Sequence, residues 1–189
     1  MYINLDIAGL SYRLITGSVI WHDLLLKKYS NFITDKSPDI VVEIQFLKKI
    51  NSNFSVRYKN QNTCLLTMPN SLGAFRQFNF ICKTIFSSFL LNHGGIILHA
   101  SSIKHKSRAI LFAGKEGKGK STIVKLMPEH TVLNDDFAII RKIDNVFHVF
   151  SSPFYETNPF PKIKKSYPLD RIFFLSQSRI SLSYTMDTS

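Results

Sequence analysis

Residues 114–122 read Gly114-Lys115-Glu116-Gly117-Lys118-Gly119-Lys120-Ser121-Thr122 and match G-x-x-x-x-G-K-[ST] at every fixed position. In this pattern the glycines let backbone N–H groups turn inward around a phosphate. The lysine, Lys120, reaches the β- and γ-phosphate oxygens, and the hydroxyl of Ser121 helps to hold Mg²⁺. The sequence therefore predicts a nucleotide phosphate-binding loop, and the alternative is a surface turn rich in glycine and lysine.

The neighbours of this loop favour the phosphate-binding interpretation. The apolar run Ala109–Ala113 precedes the loop and predicts a strand. The residues Ser121–Met127 predict a helix whose positive N-terminal end faces the anion. A strand, a glycine-rich loop and a helix in this order are the setting that the motif requires.

An acidic pair follows the loop. Thr131–Leu133 predicts a short apolar strand, and Asn134, Asp135 and Asp136 come directly after it. Phosphoryl transfer needs one group that holds the metal and another that orients or deprotonates the acceptor. We take Asp135 and Asp136 as candidates for these roles and Asp135 with Ser121 as the metal ligands, although which aspartate has which role stays open. The alternative is a solvated Asn-Asp-Asp turn.

The first seventy residues predict a β-rich region with one helix, Trp21–Tyr29, and no catalytic cluster. We interpret residues 1–70 as a scaffold or recognition region. Its predicted strands are Tyr2–Ile7, Ser11–Thr16, Asp39–Leu47, Phe54–Tyr58 and Thr63–Thr67.

A long amphipathic helix is predicted after Pro69, because apolar residues recur there at three- and four-residue steps from Leu72 to Leu90. We interpret its aromatic stripe as core packing rather than as a ligand site. His93-Gly94-Gly95 ends it, and two strands are predicted next, Ile96–Ile103 and Arg108–Phe112.

Composition narrows the class of protein. The 189 residues, 44% of them hydrophobic, suffice for one domain or two small ones, and a net charge of +11 favours an anionic partner. Two cysteines without a CxxC pair predict a reducing compartment, the cytoplasm. We expect no secretory signal and no membrane span. The clusters Lys104/Lys106/Arg108 and Lys162/Lys164/Lys165 lack any nucleic-acid-binding signature, so we interpret them as solvated surface.

Four segments together resemble a known family. They are Leu98-His99-Ala100-Ser101-Ser102, the loop Gly114–Thr122, Asn134-Asp135-Asp136 and Ser151-Ser152-Pro153-Phe154. From about Gly95 to Leu175 the chain resembles the HPr serine kinase C-terminal domain of bacterial HPr kinase/phosphorylase. It is closer to the HPr-kinase-like proteins found beside peptide-maturation genes. The resemblance implies the nucleotide-binding fold of phosphoenolpyruvate carboxykinase, a mixed α/β fold with a hairpin before the phosphate loop, and here with a β-rich N-terminal part.

The resemblance also implies an activity. It implies ATP and Mg²⁺ as cofactors and an ATP-dependent serine kinase whose acceptor is a peptide or small protein. His99 matches a family histidine near the phosphates and joins Lys120, Asp135 and Asp136 as a candidate catalytic residue, although spacing alone favours a core histidine. The alternative is a catalytically degenerate nucleotide-binding regulatory protein. Whether the protein forms a homo-oligomer stays open.

The resemblance further predicts where the domains end. Family members continue into further helices after the strand matched by Arg171–Leu175. We therefore expect a nucleotide-binding domain over residues 71–175 that is C-terminally short, followed by a polar tail at 176–189. The glycine- and arginine-containing signature of true HPr kinases has no counterpart here, so phosphorylase activity is not expected.

Overall fold

The computed structural model describes residues 1–47, 53–127, 131–154 and 165–176 of a mixed α/β protein with two sheets. This confirms the predicted fold class at the level of mixed α/β. Residues 177–189 of the predicted tail, and Lys162 and Lys164 of the second basic cluster, lie outside the described residues.

The first sheet is built by the N-terminal part of the chain. Its strands are β1 (Tyr2–Ile7), β2 (Leu10–Thr16), β3 (Ile40–Leu47), β4 (Ser55–Asn60) and β5 (Thr63–Pro69). They lie in the order β1-β2-β3-β5-β4, with parallel pairs β2–β3 and β3–β5 and antiparallel pairs at both ends. All five predicted strands are confirmed to within two residues at each end.

Two helices pack against this sheet. Helix α1 (Val19–Tyr29) connects β2 to β3, as a parallel pair requires, and the hydroxyl of Ser18 caps its first turn. Helix α2 (Phe75–Asn92) buries the predicted apolar stripe from Phe78 to Leu90, whereas Leu72 lies before the helix and is exposed. The indole of Trp21 lies within 5.5 Å of the rings of Phe75 and Phe78, ring centroid to centroid, and joins the two helices. Aromatic contacts of this kind add to the stabilisation that comes from burial alone.

One hydrophobic core extends from the first sheet through α2 to the second half of the chain. The same cluster of buried side chains contains Trp21 and Phe89 as well as Ile139, Phe150 and Phe154. Helix α2 therefore packs against both halves. The predicted division of the chain at residue 70 stays a prediction.

The second sheet has seven strands among the described residues. They are β6 (Gly95–Leu98), β7 (Ala100–His105), β8 (Arg108–Ala113), β9 (Thr131–Asn134), β10 (Ala138–Ile143), β11 (Val146–Phe150) and β12 (Ser166–Phe174), in the order β6-β10-β11-β12-β8-β7-β9. The predicted hairpin before the loop is present as β7–β8, and β8 pairs in parallel with β12. The third helix, α3 (Lys120–Lys125), directly follows the loop.

The prediction of one strand over Ile96–Ile103 is wrong. The chain bends at His99, so that β6 pairs with β10 while β7 pairs with β8 and β9. In a flat sheet the first and sixth strands would lie about 24 Å apart, because neighbouring strands are about 4.8 Å apart. A single linking residue spans far less than that. The sheet must therefore curl until these two strands meet at His99.

The hairpin β10–β11 was not predicted. Its turn residues Asp144 and Asn145 both have positive φ, 46° and 64°, as a two-residue turn of type I′ requires. The Asp-Asn pair between two apolar runs was the sequence signal for it. Arg141 of β10 ties the two sheets together, since its Nη1 donates to the carbonyl oxygen of Ala8 over 2.6 Å and its Nε to that of His93 over 3.2 Å.

No helix among the described residues has the length and apolar character needed to span a membrane.

Candidate functional site

The loop between β8 and α3 has a backbone that depends on glycine. Gly117 and Gly119 have φ values of 75° and 93°, in the left-handed region that side chains disfavour. Gly114 is needed for another reason: a Cβ there would lie 3.0 Å from the carbonyl oxygen of Leu175. The backbone N–H of Leu175 donates to the carbonyl oxygen of Ala113 over 2.7 Å, which fixes this close approach.

Lys120 is almost completely buried, with 6% of its surface exposed. Its Nζ donates to the carbonyl oxygen of Gly114 over 2.9 Å and to that of Lys115 over 3.2 Å. The ammonium group therefore lies inside the curve of its own loop. A buried ammonium held only by neutral carbonyl groups keeps a strong attraction for an anionic oxygen, because a carbonyl oxygen carries only a partial charge and Coulomb energies are large in a buried site.

The loop and the acidic pair share one open cleft. Its volume is about 540 Å³, within the range of roughly 300–1,000 Å³ that is usual for ligand pockets. The lining residues come from three separate segments of the chain: His99, Glu116, Gly117, Gly119, Lys120, Ser121, Thr122, Asp135 and Asp136. Of the predicted site residues, Gly114, Lys115 and Lys118 belong to the loop but do not line the cleft.

His99 lies at the bend between β6 and β7 and faces the acidic pair. Its Nε2 lies 2.5 Å from Oδ1 of Asp136. About half of each side chain is exposed, 53% for His99 and 47% for Asp136. Spacing alone favoured a core histidine, but the half-exposed His99 is not a core residue. It can form a hydrogen bond or an ion pair with the carboxylate of Asp136.

A buried hydrogen-bond network holds the backbone of the acidic pair. The hydroxyl of Ser101 donates to the carbonyl oxygen of Asp135 over 2.5 Å. Nδ2 of Asn134 donates to Oγ of Ser102 over 2.9 Å and to the carbonyl oxygen of Phe150 over 2.8 Å. Sequence reasoning gave these residues no role, although two serines inside an apolar strand were a signal that buried polar partners would be needed.

The donor set of the cleft suits Mg²⁺ bound together with a nucleotide. The described residues contain no group of three or more His, Cys, Asp or Glu side chains that could hold a metal ion by themselves. Mg²⁺ is usually held by one or two carboxylates together with the phosphates of a substrate. Ser121 and Asp135 both line the cleft and are the groups that could supply the protein ligands.

Comparisons with known proteins give one family. No curated protein matches the chain. Among solved structures, the Hpr(Ser) kinase/phosphatase from Coxiella burnetii is similar with a TM-score of 0.36 and 14% identity, over 46% of this chain and 69% of that one. A family model described as SynChlorMet cassette protein ScmC matches residues 63–189, which is more than half of the chain. The chain belongs to this ScmC family.

Proposed function

We propose that the protein binds ATP with Mg²⁺ at the loop Gly114–Thr122 and transfers the γ-phosphate to a hydroxyl group of a peptide or small protein. One observation carries the proposal: Lys120 and Ser121 line the same cleft as Asp135 and Asp136. These are the groups that phosphoryl transfer needs, namely a cation for the phosphates, metal ligands and a carboxylate for the acceptor.

The loop holds the nucleotide. The left-handed glycines Gly117 and Gly119 let the backbone wrap around the phosphates. Lys120 exchanges its two carbonyl partners for oxygens of the β- and γ-phosphates, a gain in Coulomb energy because the carbonyls carry only partial charges. When bound, Mg²⁺ neutralises the charge of the phosphates. Ser121 and one of the two aspartates are the side chains that hold it.

The acidic pair activates the acceptor. A carboxylate of Asp135 or Asp136 accepts the proton of the incoming hydroxyl while the hydroxyl oxygen forms a bond to the γ-phosphorus. The bond from that phosphorus to the bridging oxygen breaks, and ADP leaves with the electron pair. His99 beside Asp136 stabilises the negative charge of the carboxylate or takes up its proton afterwards.

The exposure of the cleft suits a macromolecular acceptor. His99 and Asp136 keep about half of their surfaces exposed, so a hydroxyl on a peptide chain can approach them without prior opening of the site. The resemblance of the loop and the acidic pair to HPr-kinase-like proteins favours a serine hydroxyl on a peptide or small protein.

Transfer of label from γ-³²P-ATP to a library of serine-containing peptides tests the proposal. We expect incorporation by the wild-type protein and its loss in the Asp135→Asn/Asp136→Asn double variant. The matched control is Asp144→Asn/Asp170→Asn, which also removes two negative charges, but from residues that do not line the cleft. Tight ATP binding without transfer would instead favour a regulatory nucleotide-binding protein, and absence of ATP binding would overturn both.

A further inference from the structure

We propose that Ser101 and Asn134 are positioning residues that fix the direction of the Asp135 and Asp136 carboxylates and thereby the metal affinity of the cleft. The inference rests on the proposed function, because it assumes that these carboxylates serve a nucleotide-bound metal ion. Neither residue lines the cleft; both are buried next to the residues that do.

Two segments of the chain are joined side by side at this place. Residues 99–102 lie antiparallel to residues 134–136, and three side-chain contacts connect the two segments. His99 meets the carboxylate of Asp136, Ser101 meets the carbonyl oxygen of Asp135, and Ser102 meets the amide of Asn134. The acidic pair is therefore held at the backbone of Asp135 and at the carboxylate of Asp136.

Side-chain bonds matter here because the strand ladder is interrupted. The register between β7 and β9 shifts between Ser102 and Ile103, and the last ladder pair is Ser102 with Asn134. Irregularities of this kind next to functional sites redirect side chains. Asp135 lies just beyond the ladder, and the Ser101 hydroxyl holds its carbonyl oxygen in place.

The network is buried and its orientation is determined. Ser101 and Ser102 are 0% exposed and Asn134 is 5% exposed. The carbonyl oxygen of Phe150 can only accept a hydrogen bond, so the Asn134 atom facing it must be the amide nitrogen. Hydrogen bonds in such a low-dielectric environment are strong, and loss of one partner leaves the other group unsatisfied. A shift of the acidic turn would therefore have to break these bonds without compensation from water.

Binding of Mn²⁺ to the ADP-loaded protein, followed by electron paramagnetic resonance, tests this inference independently of catalysis. We expect Ser101→Ala to weaken Mn²⁺ binding roughly tenfold, as is usual for residues that orient metal ligands. Ser101→Thr keeps the hydroxyl and should restore most of the affinity. Asp135→Asn/Asp136→Asn gives the full size of the effect. ADP affinity without metal should stay within about twofold in Ser101→Ala and Ser101→Thr, because these substitutions change neither the loop nor the charge of the cleft.

Ser11→Ala is the matched control. The hydroxyl of Ser11 also donates to a backbone carbonyl, that of Lys36 over 3.3 Å, and the residue is 1% exposed, but it lies in the first sheet. Equal Mn²⁺ affinity in Ser101→Ala and Ser11→Ala would overturn the inference. Isosteric Asn134→Asp, which removes both donors, gives a second test if Ser101→Ala does not fold. If the wild-type protein binds Mn²⁺ with ADP but transfers no phosphate, the proposed kinase activity is refuted. The positioning role is then still tested, because the Mn²⁺ titration of the variants does not depend on transfer.

Discussion

Nε2 of His99 lies 2.5 Å from Oδ1 of Asp136, and this contact depends on the bend that separates β6 from β7. The first of these strands pairs with β10, which follows the acidic pair, and the second pairs with β9, which precedes it. The histidine is therefore held from both sides, opposite the turn that carries the two carboxylates. A continuous strand through this position would place His99 within a ladder instead.

Replacement of His99 by glutamine should separate activity from stability. The pair is half exposed, so its loss should cost less than about 1 kcal/mol of unfolding free energy. We expect phosphoryl transfer to fall at least tenfold, because glutamine can still donate a hydrogen bond to Asp136 but can neither take up a proton nor carry a charge. His22→Gln is the control, since Nδ1 of His22 lies 3.4 Å from Oδ1 of Asp23 in α1, remote from the cleft. Equal rates for the two variants would contradict a role for His99.

Lys120→Met should abolish most nucleotide binding. Charge-assisted hydrogen bonds contribute about 1.5–3 kcal/mol each, so we expect a loss of ATP affinity of roughly 10- to 150-fold by titration calorimetry. Lys125→Met is the matched control, because Lys125 is exposed at the end of the same helix. Unchanged affinity in Lys120→Met would show that the loop does not hold the phosphates.

Gly114→Ala should disturb the loop through its contact with Leu175, the residue that follows β12. The added Cβ would lie 3.0 Å from the backbone oxygen of Leu175, which cannot move without breaking its pairing with Ala113. We expect weaker ATP binding and a lower melting temperature. At Gly73 an added Cβ meets nothing within 4 Å, so Gly73→Ala should change neither quantity appreciably. Equal behaviour of the two variants would argue against the close approach.

Local signals in the sequence predicted the five strands of the first sheet but not their order, and they predicted α1, α2, the loop and the acidic pair. Each of these depends on residues near one another in the chain: alternating apolar residues in β1 and β2, helical spacing in α2, and fixed glycines in the loop. The break at His99 was not predictable in this way. Residues 96–103 contain no glycine, proline or asparagine that would end a strand, and only their different partners, β10 and β9, divide them.

The buried network was beyond sequence reasoning for a similar reason. Ser101, Ser102 and Asn134 are small polar residues in apolar surroundings, and their partners lie in distant segments, including the carbonyl oxygen of Phe150. A pattern of residue types predicts that buried polar groups will be satisfied, but not by which atoms. The resemblance to a known family implied a position for His99 near the phosphates, but not its contact with Asp136.

Arg141→Met should loosen the junction between the two sheets. The guanidinium donates to carbonyl oxygens of Ala8 and His93, which belong to the β1–β2 turn and to the end of α2. Loss of both bonds, at about 1.5–3 kcal/mol each, should lower the unfolding free energy by about 3–6 kcal/mol, visible as a lower urea midpoint. Arg171→Met, at an exposed side chain paired with its neighbour Asp170, should cost far less. Equal midpoints would contradict the anchoring role of Arg141.

Tyr12→Phe should leave the protein as stable as the wild type or make it more stable. The phenol oxygen is buried without a hydrogen-bond partner among the described residues, and the ring lies 4.5 Å from that of Phe86, centroid to centroid, with the two planes tilted by 31°. Removal of an unsatisfied hydroxyl relieves a desolvation cost of about 1–3 kcal/mol while the ring contact stays.

The same variant should change the response to alkali. Burial, and to a smaller extent the charge of Asp39, raises the pKa of Tyr12 above its ordinary value, against an opposing effect of Arg141. The folded state therefore keeps a proton that the unfolded chain releases above pH of about 10. This contribution to stability is complete below that pH and is lost as the pH rises, so the wild type should lose stability there faster than Tyr12→Phe. Urea unfolding at pH 8 and at pH 10.5 measures the difference, and parallel losses in the two proteins would refute the prediction.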